Sequence, residues 1–183
     1  LEILSREFAK AAWESTIMLG ISTVLGVIFG LICGLVLYLS DHKDFINSRK
    51  LNSVLGYIVN VVRSIPFIIL VVFTLPFTFA LIGTKIGPVA AAVPLSICAI
   101  AFYARLVEAA PGLIRGFTVT FISLIGFSAM SGMVGGGGIG NIAIMYGYYR
   151  YETGVMLFVI VFLVLFVQLV QYLGDKWANN LSK

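Results

Sequence analysis

Charged residues are scarce in this sequence. Lys, Arg, Asp and Glu together make up 11% of its 183 residues, about half of the share found in ordinary soluble domains. Hydrophobic residues make up 60%, and the mean hydropathy is +1.06. Because so few polar side chains cannot cover the surface of a soluble globule of this size, a water-soluble domain is excluded.

The residues that most enzymes and metal sites need are also few. His42 is the only histidine, and Cys33 and Cys98, the only cysteines, each lie inside an apolar run. No side chain stands in a recognisable nucleophile pattern, so the sequence predicts no catalytic residue, no metal site and no disulfide framework. The twelve Lys and Arg residues are scattered singly or in pairs, which argues against nucleic acid as a partner.

Long apolar runs are what the sequence has instead, and they predict an all-α, polytopic membrane protein. A helix needs about 20 mainly apolar residues to cross the hydrocarbon core of a bilayer. Five runs are of about this length, at residues 17–39, 65–82, 88–107, 113–133 and 155–173. The sequence therefore predicts five transmembrane helices, in contact with membrane lipid, that form a single domain over residues 1–183.

The segments that flank these runs predict how they are connected. Residues 1–14 mix charges with apolar side chains and Trp13, which is typical of a separate amphipathic helix at the membrane interface. Residues 41–50 carry five charges and His42, so we expect an aqueous loop there. Pro76 lies inside the second run and predicts a kink.

The Lys and Arg residues between the runs predict the orientation of the chain. With the N-terminus outside, the inner segments hold seven of these residues and the outer segments hold four. The inner set is Lys43, Arg49, Lys50, Arg105, Arg115, Lys176 and Lys183, and the outer set is Arg6, Lys10, Lys85 and Arg150. Because cytoplasmic segments are enriched in these residues, we expect the N-terminus outside and the C-terminus in the cytoplasm.

A run of glycines follows the fourth apolar segment. Gly135 to Gly138 and Gly140 lack the Lys-Ser/Thr pair and the preceding strand of a phosphate-binding loop. Irregular backbone at membrane depth is tolerated where protein buries it or where it lines a cavity. This run therefore predicts a gate or pore constriction, with a flexible outer loop as the alternative.

Three stretches resemble the permease subunit of methionine ABC importers, a family of type I ABC importers. They are VVRSIPFIIL at residues 61–70, IGTKIGPVAAAVPLSICAIAFYARLVE at residues 82–108 and IGFSAMSGMVGGGGIGNIAIMYGYYRY at residues 125–151. Their order and spacing match over most of the chain, from about Trp13 to Trp177. The combination is more specific than any one of the motifs.

The resemblance implies how the protein works and with what. It implies a five-helix permease, not itself an enzyme, that pairs with a second copy and sits on two cytoplasmic ATPase subunits. ATP and Mg²⁺ would bind to those subunits, so this chain would hold no cofactor. A methionine-binding protein or lipoprotein outside the bacterial inner membrane would deliver L-methionine, and also D-methionine. The implied N-terminus is outside, in agreement with the count of Lys and Arg.

One departure from the family is large. The family joins its third and fourth spans by a cytoplasmic segment about thirty residues longer, which contains the coupling helix that docks into the ATPase. Here Glu108 and Ala109 are followed directly by Ala110 and Pro111. Either the chain lacks its coupling surface, or the sequence joins two segments across a loop that is absent from it, which is the interpretation that we favour.

The resemblance also predicts where the substrate passes. It makes two copies face each other across a central pathway, beside the break in the fourth span. We expect Ser128, Met130 and Met133 to line this pathway, with Ser131 on a different helical face, and Met130 or Met133 to close it. The glycines that would shape the constriction are Gly132, Gly135, Gly136, Gly137 and Gly138.

Two other classes of function are weighed against this one. A channel or an accessory membrane scaffold without ATPase coupling would explain five spans and a glycine-rich constriction, but would not need the combination of motifs. A membrane enzyme would need polar residues that converge at one depth, and the apolar runs supply none. The sequence therefore favours an ATP-driven importer permease for methionine.

Overall fold

A computed structural model describes residues 2–41, 48–109 and 113–181 of the chain. Within these ranges the fold is all-α and has no strand, as the sequence predicts. The α-helices in them are α1 (Glu2–Asp41), α2 (Arg49–Ser64), α3 (Phe67–Ile82), α4 (Pro88–Glu108), α5 (Leu113–Ser131), α6 (Ile139–Ile142) and α7 (Thr153–Leu181). A 3₁₀ turn, Gly132–Val134, precedes α6, and a π-helical turn, Ala143–Tyr148, follows it.

Four of these helices, α1, α4, α5 and α7, are long and apolar enough to cross a membrane. A fifth crossing is obtained when α2 and α3 count as one span, although they meet at an angle of 111°. The bend lies at Ile65 and Pro66, just before α3 begins, whereas α3 contains Pro76 without a break. Pro66 has no N–H to donate to a preceding carbonyl, which explains why α2 does not continue through it.

The separate interfacial helix expected at residues 1–14 is wrong, because α1 is one continuous helix of 40 residues. Its first turns pack against α7: the Phe8 ring lies edge-on to Phe158 and Phe162, with centroids 5.4 and 5.1 Å apart. Ala11 is buried with Ile142 and Val159. These contacts hold the N-terminal turns against the bundle, and only tertiary packing reveals them.

The tightest packing in the bundle is between α1 and α4. Gly26, Gly30 and Gly34 lie at the interface, at intervals of one helical turn, and a Cβ atom at any of them would overlap α4. Small residues that let two backbones approach closely are typical of helix pairs in membranes, where burial of apolar surface gives little driving force.

Two expectations fall on residues that are not described. Most of the aqueous loop predicted at residues 41–50 lies outside the described ranges, which resume at Ser48. The continuity of the chain from Ala109 to Ala110 also lies outside them, because Ala110 is not described. What is described is the end of α4, where Arg105 and Glu108 form an ion pair across one turn.

Candidate functional site

The glycine-rich segment forms a sharply folded loop between α5 and α6. We call Gly135 to Gly138 the glycine loop. Three of its residues have positive φ, at +84° for Gly135, +77° for Gly137 and +84° for Gly138. Residues with a Cβ atom rarely adopt this conformation, so the backbone path of the loop requires glycine.

The glycine loop packs against the turn that connects α3 and α4. The N–H of Gly87 donates a hydrogen bond of 2.9 Å to the carbonyl oxygen of Gly135. A Cβ atom at Gly136 would lie 2.9 Å from the Cβ of Ala91 on α4 and 2.8 Å from the carbonyl oxygen of Ser131. The loop therefore packs against the α3–α4 turn, the start of α4 and the end of α5.

Two further glycines bring the end of α5 against α6. A Cβ atom at Gly132 would lie 2.6 Å from the backbone nitrogen of Asn141. At Gly140 it would overlap the backbone of Ala129. Backbone lies against backbone on both sides of the glycine loop, which fixes the geometry of this end of the bundle.

The N-terminal helix α1 binds the glycine loop directly, a contact that the sequence analysis missed. The N–H of Gly138 donates a hydrogen bond of 2.9 Å to Oε2 of Glu14. The N–H of Ile139 donates another, also of 2.9 Å, to Oγ of Ser15. Glu14 and Ser15 precede the first apolar run and gave no local signal for this role.

The two predicted gate methionines are exposed. Met130, at the end of α5, has 44% of its surface exposed, and Met133, in the 3₁₀ turn, has 57%. They lie next to the glycine loop in the chain, and Met145, in the π-helical turn, is also exposed. Their flexible thioether side chains are thus available to lipid or to another protein surface.

The two serines of this region lie on the buried side of α5. Ser128 donates its hydroxyl to the carbonyl oxygen of Ile125, at 2.8 Å. Ser131 is fully buried and donates to the carbonyl oxygen of Ser128, at 2.7 Å. The expectation that Ser131 lies on a different face from Ser128 is wrong, since residues three apart are neighbours on a helix. Met130 and Met133 are exposed, whereas both serines are buried.

Ser128 lines a small apolar cleft of about 130 Å³ between α1, α5, α6 and α7. The cleft also contains the hydroxyl-bearing residues Ser15 and Thr16, and its walls include Leu19 and Phe166. Ser128 therefore borders this cleft, whose lining includes neither Met130 nor Met133.

A second, polar cavity of about 240 Å³ lies beside the glycine loop, between α1 and the π-helical turn. Glu7, Lys10, Glu14 and Arg150 border it. Nζ of Lys10 is 4.0 Å from Oε1 of Glu14, and the Arg150 guanidinium lies over the Tyr146 ring, 4.4 Å from its centroid. Charges of both signs surround this cavity, so it selects for neither anions nor cations by net charge.

The described part of the chain offers no group of three or more His, Cys, Asp and Glu side chains that could hold a metal ion. Its notable features are instead helices long enough to cross a membrane and a glycine loop clamped at one end of them. Together these define a polytopic membrane protein.

No family model matches the sequence. Individual relatives do: the chain is 34% identical to the probable D-methionine transport system permease protein MetI of Vibrio cholerae, covering 94% of this chain and 91% of the relative. It is 39% identical to the protein of the same name from Pasteurella multocida, covering 91% and 92%. The methionine import system permease protein MetP of Bacillus subtilis is 36% identical, with 81% of each chain covered. The chain belongs to the family of methionine ABC importer permeases.

Solved structures agree with this assignment. A chain of the MetNI methionine ABC transporter, in an inward-facing conformation, is 36% identical and superposes with a TM-score of 0.94 over the full length of both chains. A second crystal form gives a TM-score of 0.95. The predicted fold class and the predicted function, a permease subunit of a methionine ABC importer in the inner membrane, are confirmed.

Proposed function

We propose that two copies of this chain form the methionine pathway and rest on two ATPase subunits that bind ATP and Mg²⁺. The observation that carries this proposal is the superposition on the MetNI methionine ABC transporter along the whole chain. In this assembly the permease holds no cofactor of its own, and an extracytoplasmic binding protein or lipoprotein delivers L- or D-methionine.

The conformation that we propose for the chain is the inward-facing one. The two solved structures compared above are described as inward facing, and the chain superposes on them with TM-scores of 0.94 and 0.95. An inward-facing importer has its outer gate closed, so residues at the glycine loop are expected in their closed position.

Met130 and Met133 are the residues that we assign to this gate. Both are exposed in the single chain and both adjoin the glycine loop, so a second copy could cover them. Gly132, Gly135, Gly136, Gly137 and Gly138 give the backbone the tight path that places these side chains. Ser128, which the sequence predicts in the pathway, borders the apolar cleft between α1, α5, α6 and α7, and we do not assign it to the gate.

The orientation with the N-terminus outside and the C-terminus in the cytoplasm is also proposed. It rests on the excess of Lys and Arg in the segments assigned to the inner side. A cysteine at Thr84, in the exposed turn after α3, is then expected to react with an impermeant thiol reagent added outside intact cells. A cysteine at Ser48, before α2, should be protected, and equal labelling at the two positions would contradict the orientation.

We propose that the native protein has a cytoplasmic coupling segment after α4 that this sequence omits. Its support is that the alignment with the Vibrio cholerae relative extends over 204 residues, more than the 183 of this chain. If Ala109 and Ala110 are instead joined directly in the native protein, the permease has no coupling helix to dock into the ATPase. ATP hydrolysis then cannot drive the permease, and we expect methionine uptake to be absent.

The test of the proposed function is uptake of labelled methionine into proteoliposomes that contain the permease, its ATPase and its binding protein. ATP-dependent uptake is expected. A chain that carries Met130→Ala and Met133→Ala should assemble normally but lose most coupled uptake or leak methionine without ATP, since the gate no longer closes.

Two results would contradict the proposal. ATP-independent flux through the unsubstituted chain would favour a channel, and absence of a stable complex with the ATPase would favour an accessory scaffold. Unchanged uptake and leak in the double variant would contradict the gate assignment alone.

A further inference from the structure

One face of α1 runs in contact with α4 as far as the end of that helix. A Cβ atom at Gly30 would lie 3.0 Å from the carbonyl oxygen of Ile100, and at Gly34 it would lie 2.6 Å from the carbonyl oxygen of Ala104. These are contacts with backbone, which cannot move aside as a side chain can. Close-packed interiors transmit displacement and do not absorb it, so α1 and α4 are expected to move as one body.

The opposite end of the same face of α1 reaches the glycine loop. Met18, one turn from Ser15, is fully buried, and its sulfur is 3.4 Å from Oγ of Ser131. A Cβ atom at Gly138 would lie 2.6 Å from Cε of Met18 and 2.7 Å from Oγ of Ser15, and one at Gly137 would overlap the carboxylate of Glu14. Helix α1 therefore contacts the loop closely as well as bonding to it.

We propose that Glu14 and Ser15 are positioning residues that couple movement of the α1–α4 pair to the glycine loop. The loop has no side chains with which to hold its own position. The N–H groups of Gly138 and Ile139 instead donate to side chains of α1, and a hydrogen bond to a carboxylate is stronger than one between neutral groups. A displacement at the Glu108 end of α4 would thus reach the loop through α1.

This inference rests on the proposed role of the glycine loop in the pathway, but its test does not require transport. The probe is a cysteine at Met133, in the permease assembled with its ATPase, labelled with an impermeant maleimide in the absence of nucleotide. Glu14→Ala is expected to raise the labelling rate about tenfold, the effect of losing one hydrogen bond to a charged group. Glu14→Gln should raise the rate much less, since its amide oxygen still accepts the N–H but without the charge.

Glu7→Ala is the matched control, because Glu7 is an exposed acidic residue on the same helix. It should label at the parent rate. Ser15→Ala removes the second acceptor with a smaller change in volume and is expected to raise the rate less than Glu14→Ala. Should Glu14→Ala fail to assemble, the Ser15→Ala rate decides the question, and the parent rate there would overturn the proposal.

The positioning role would be overturned if Glu14→Ala left the labelling rate at the parent value. It would also be overturned if Glu7→Ala or Glu14→Gln raised the labelling rate as much as Glu14→Ala does. The outcome is separable from that of the pathway assignment. Suppose that Glu14→Ala is labelled fast but that alanine at Met130 and Met133 leaves methionine uptake unchanged. The positioning role of Glu14 would then be supported, and the assignment of this region to the methionine pathway would be contradicted.

Discussion

Replacing Gly30 by leucine is expected to prevent the bundle from folding. The substitution places a side chain where a Cβ atom alone would lie 2.9 Å from the Cβ of Tyr103 and 3.0 Å from a backbone carbonyl oxygen of α4. Overpacking of a dense interior costs about 1–3 kcal/mol, and here the whole helix pair must separate. We therefore expect loss of monodisperse protein after extraction in detergent, measured by size-exclusion chromatography.

Gly20→Leu provides the matched control for this prediction. Gly20 lies on the same helix and is exposed, and apart from the backbone of its own helix and its chain neighbours no atom lies within 4 Å of the position that its Cβ atom would take. Both substitutions change helix propensity and hydrophobicity equally, so only the contact with α4 distinguishes them. Equal yields and equal thermal midpoints for the two variants would show that the α1–α4 contact does not hold the fold together.

Replacing Gly138 by alanine is expected to abolish most methionine uptake while the chain still folds. At φ +84° and ψ −178°, a region adopted essentially by glycine alone, an alanine costs on the order of 1–3 kcal/mol of backbone energy. Its methyl group also meets Oγ of Ser15, which accepts the N–H of Ile139. The loop must shift away from α1, so we expect uptake in proteoliposomes to fall about tenfold or more, the effect of about 1.4 kcal/mol or more.

Gly83→Ala is the control for a positive φ in an open turn. Gly83 is left-handed, with φ +80° and ψ −1°, and no atom outside its own stretch of chain lies within 4 Å of its Cβ position, so this variant carries a smaller backbone strain than Gly138→Ala and no crowding. It should retain uptake close to that of the parent chain. If Gly138→Ala transported as well as Gly83→Ala, the packing of the glycine loop against α1 would be irrelevant to transport.

The spans that sequence predicts best are those with a clear signal at both ends. For the third run, residues 88–107, the structure gives Pro88–Glu108, because proline at the first helical position and charges near the last one mark its limits. For the fifth run the prediction is too short, since α7 extends to Leu181 through polar residues that can remain helical. The first helix is longer than predicted for another reason: Phe8 and Ala11 are held by α7 and its neighbours, which no local pattern shows.

At the candidate site, the sequence predicts the constrained backbone of the glycine loop. It does not predict which side chains of α1 accept hydrogen bonds from that backbone. Glycine is the residue type that adopts positive φ without strain, so a run of four glycines indicates a special path directly. Glu14 and Ser15 lie 124 residues from the atoms they bind and resemble ordinary interfacial residues. The shared face of Ser128 and Ser131 follows from helix periodicity and could have been predicted from their spacing alone.

The gate that we propose closes when Met130 or Met133 of one copy meets its counterpart across the pathway in the inward-facing importer. Cross-linking of a cysteine at Met130, or in a second variant at Met133, by a short bifunctional thiol reagent in the nucleotide-free complex tests it most directly. We expect a cross-linked permease dimer in high yield from at least one of the two positions, and little cross-linking from a cysteine at Leu157, an exposed residue of α7. Absence of cross-linking at both positions, with free reaction toward a lipid-soluble thiol reagent, would place both side chains against lipid and contradict the gate.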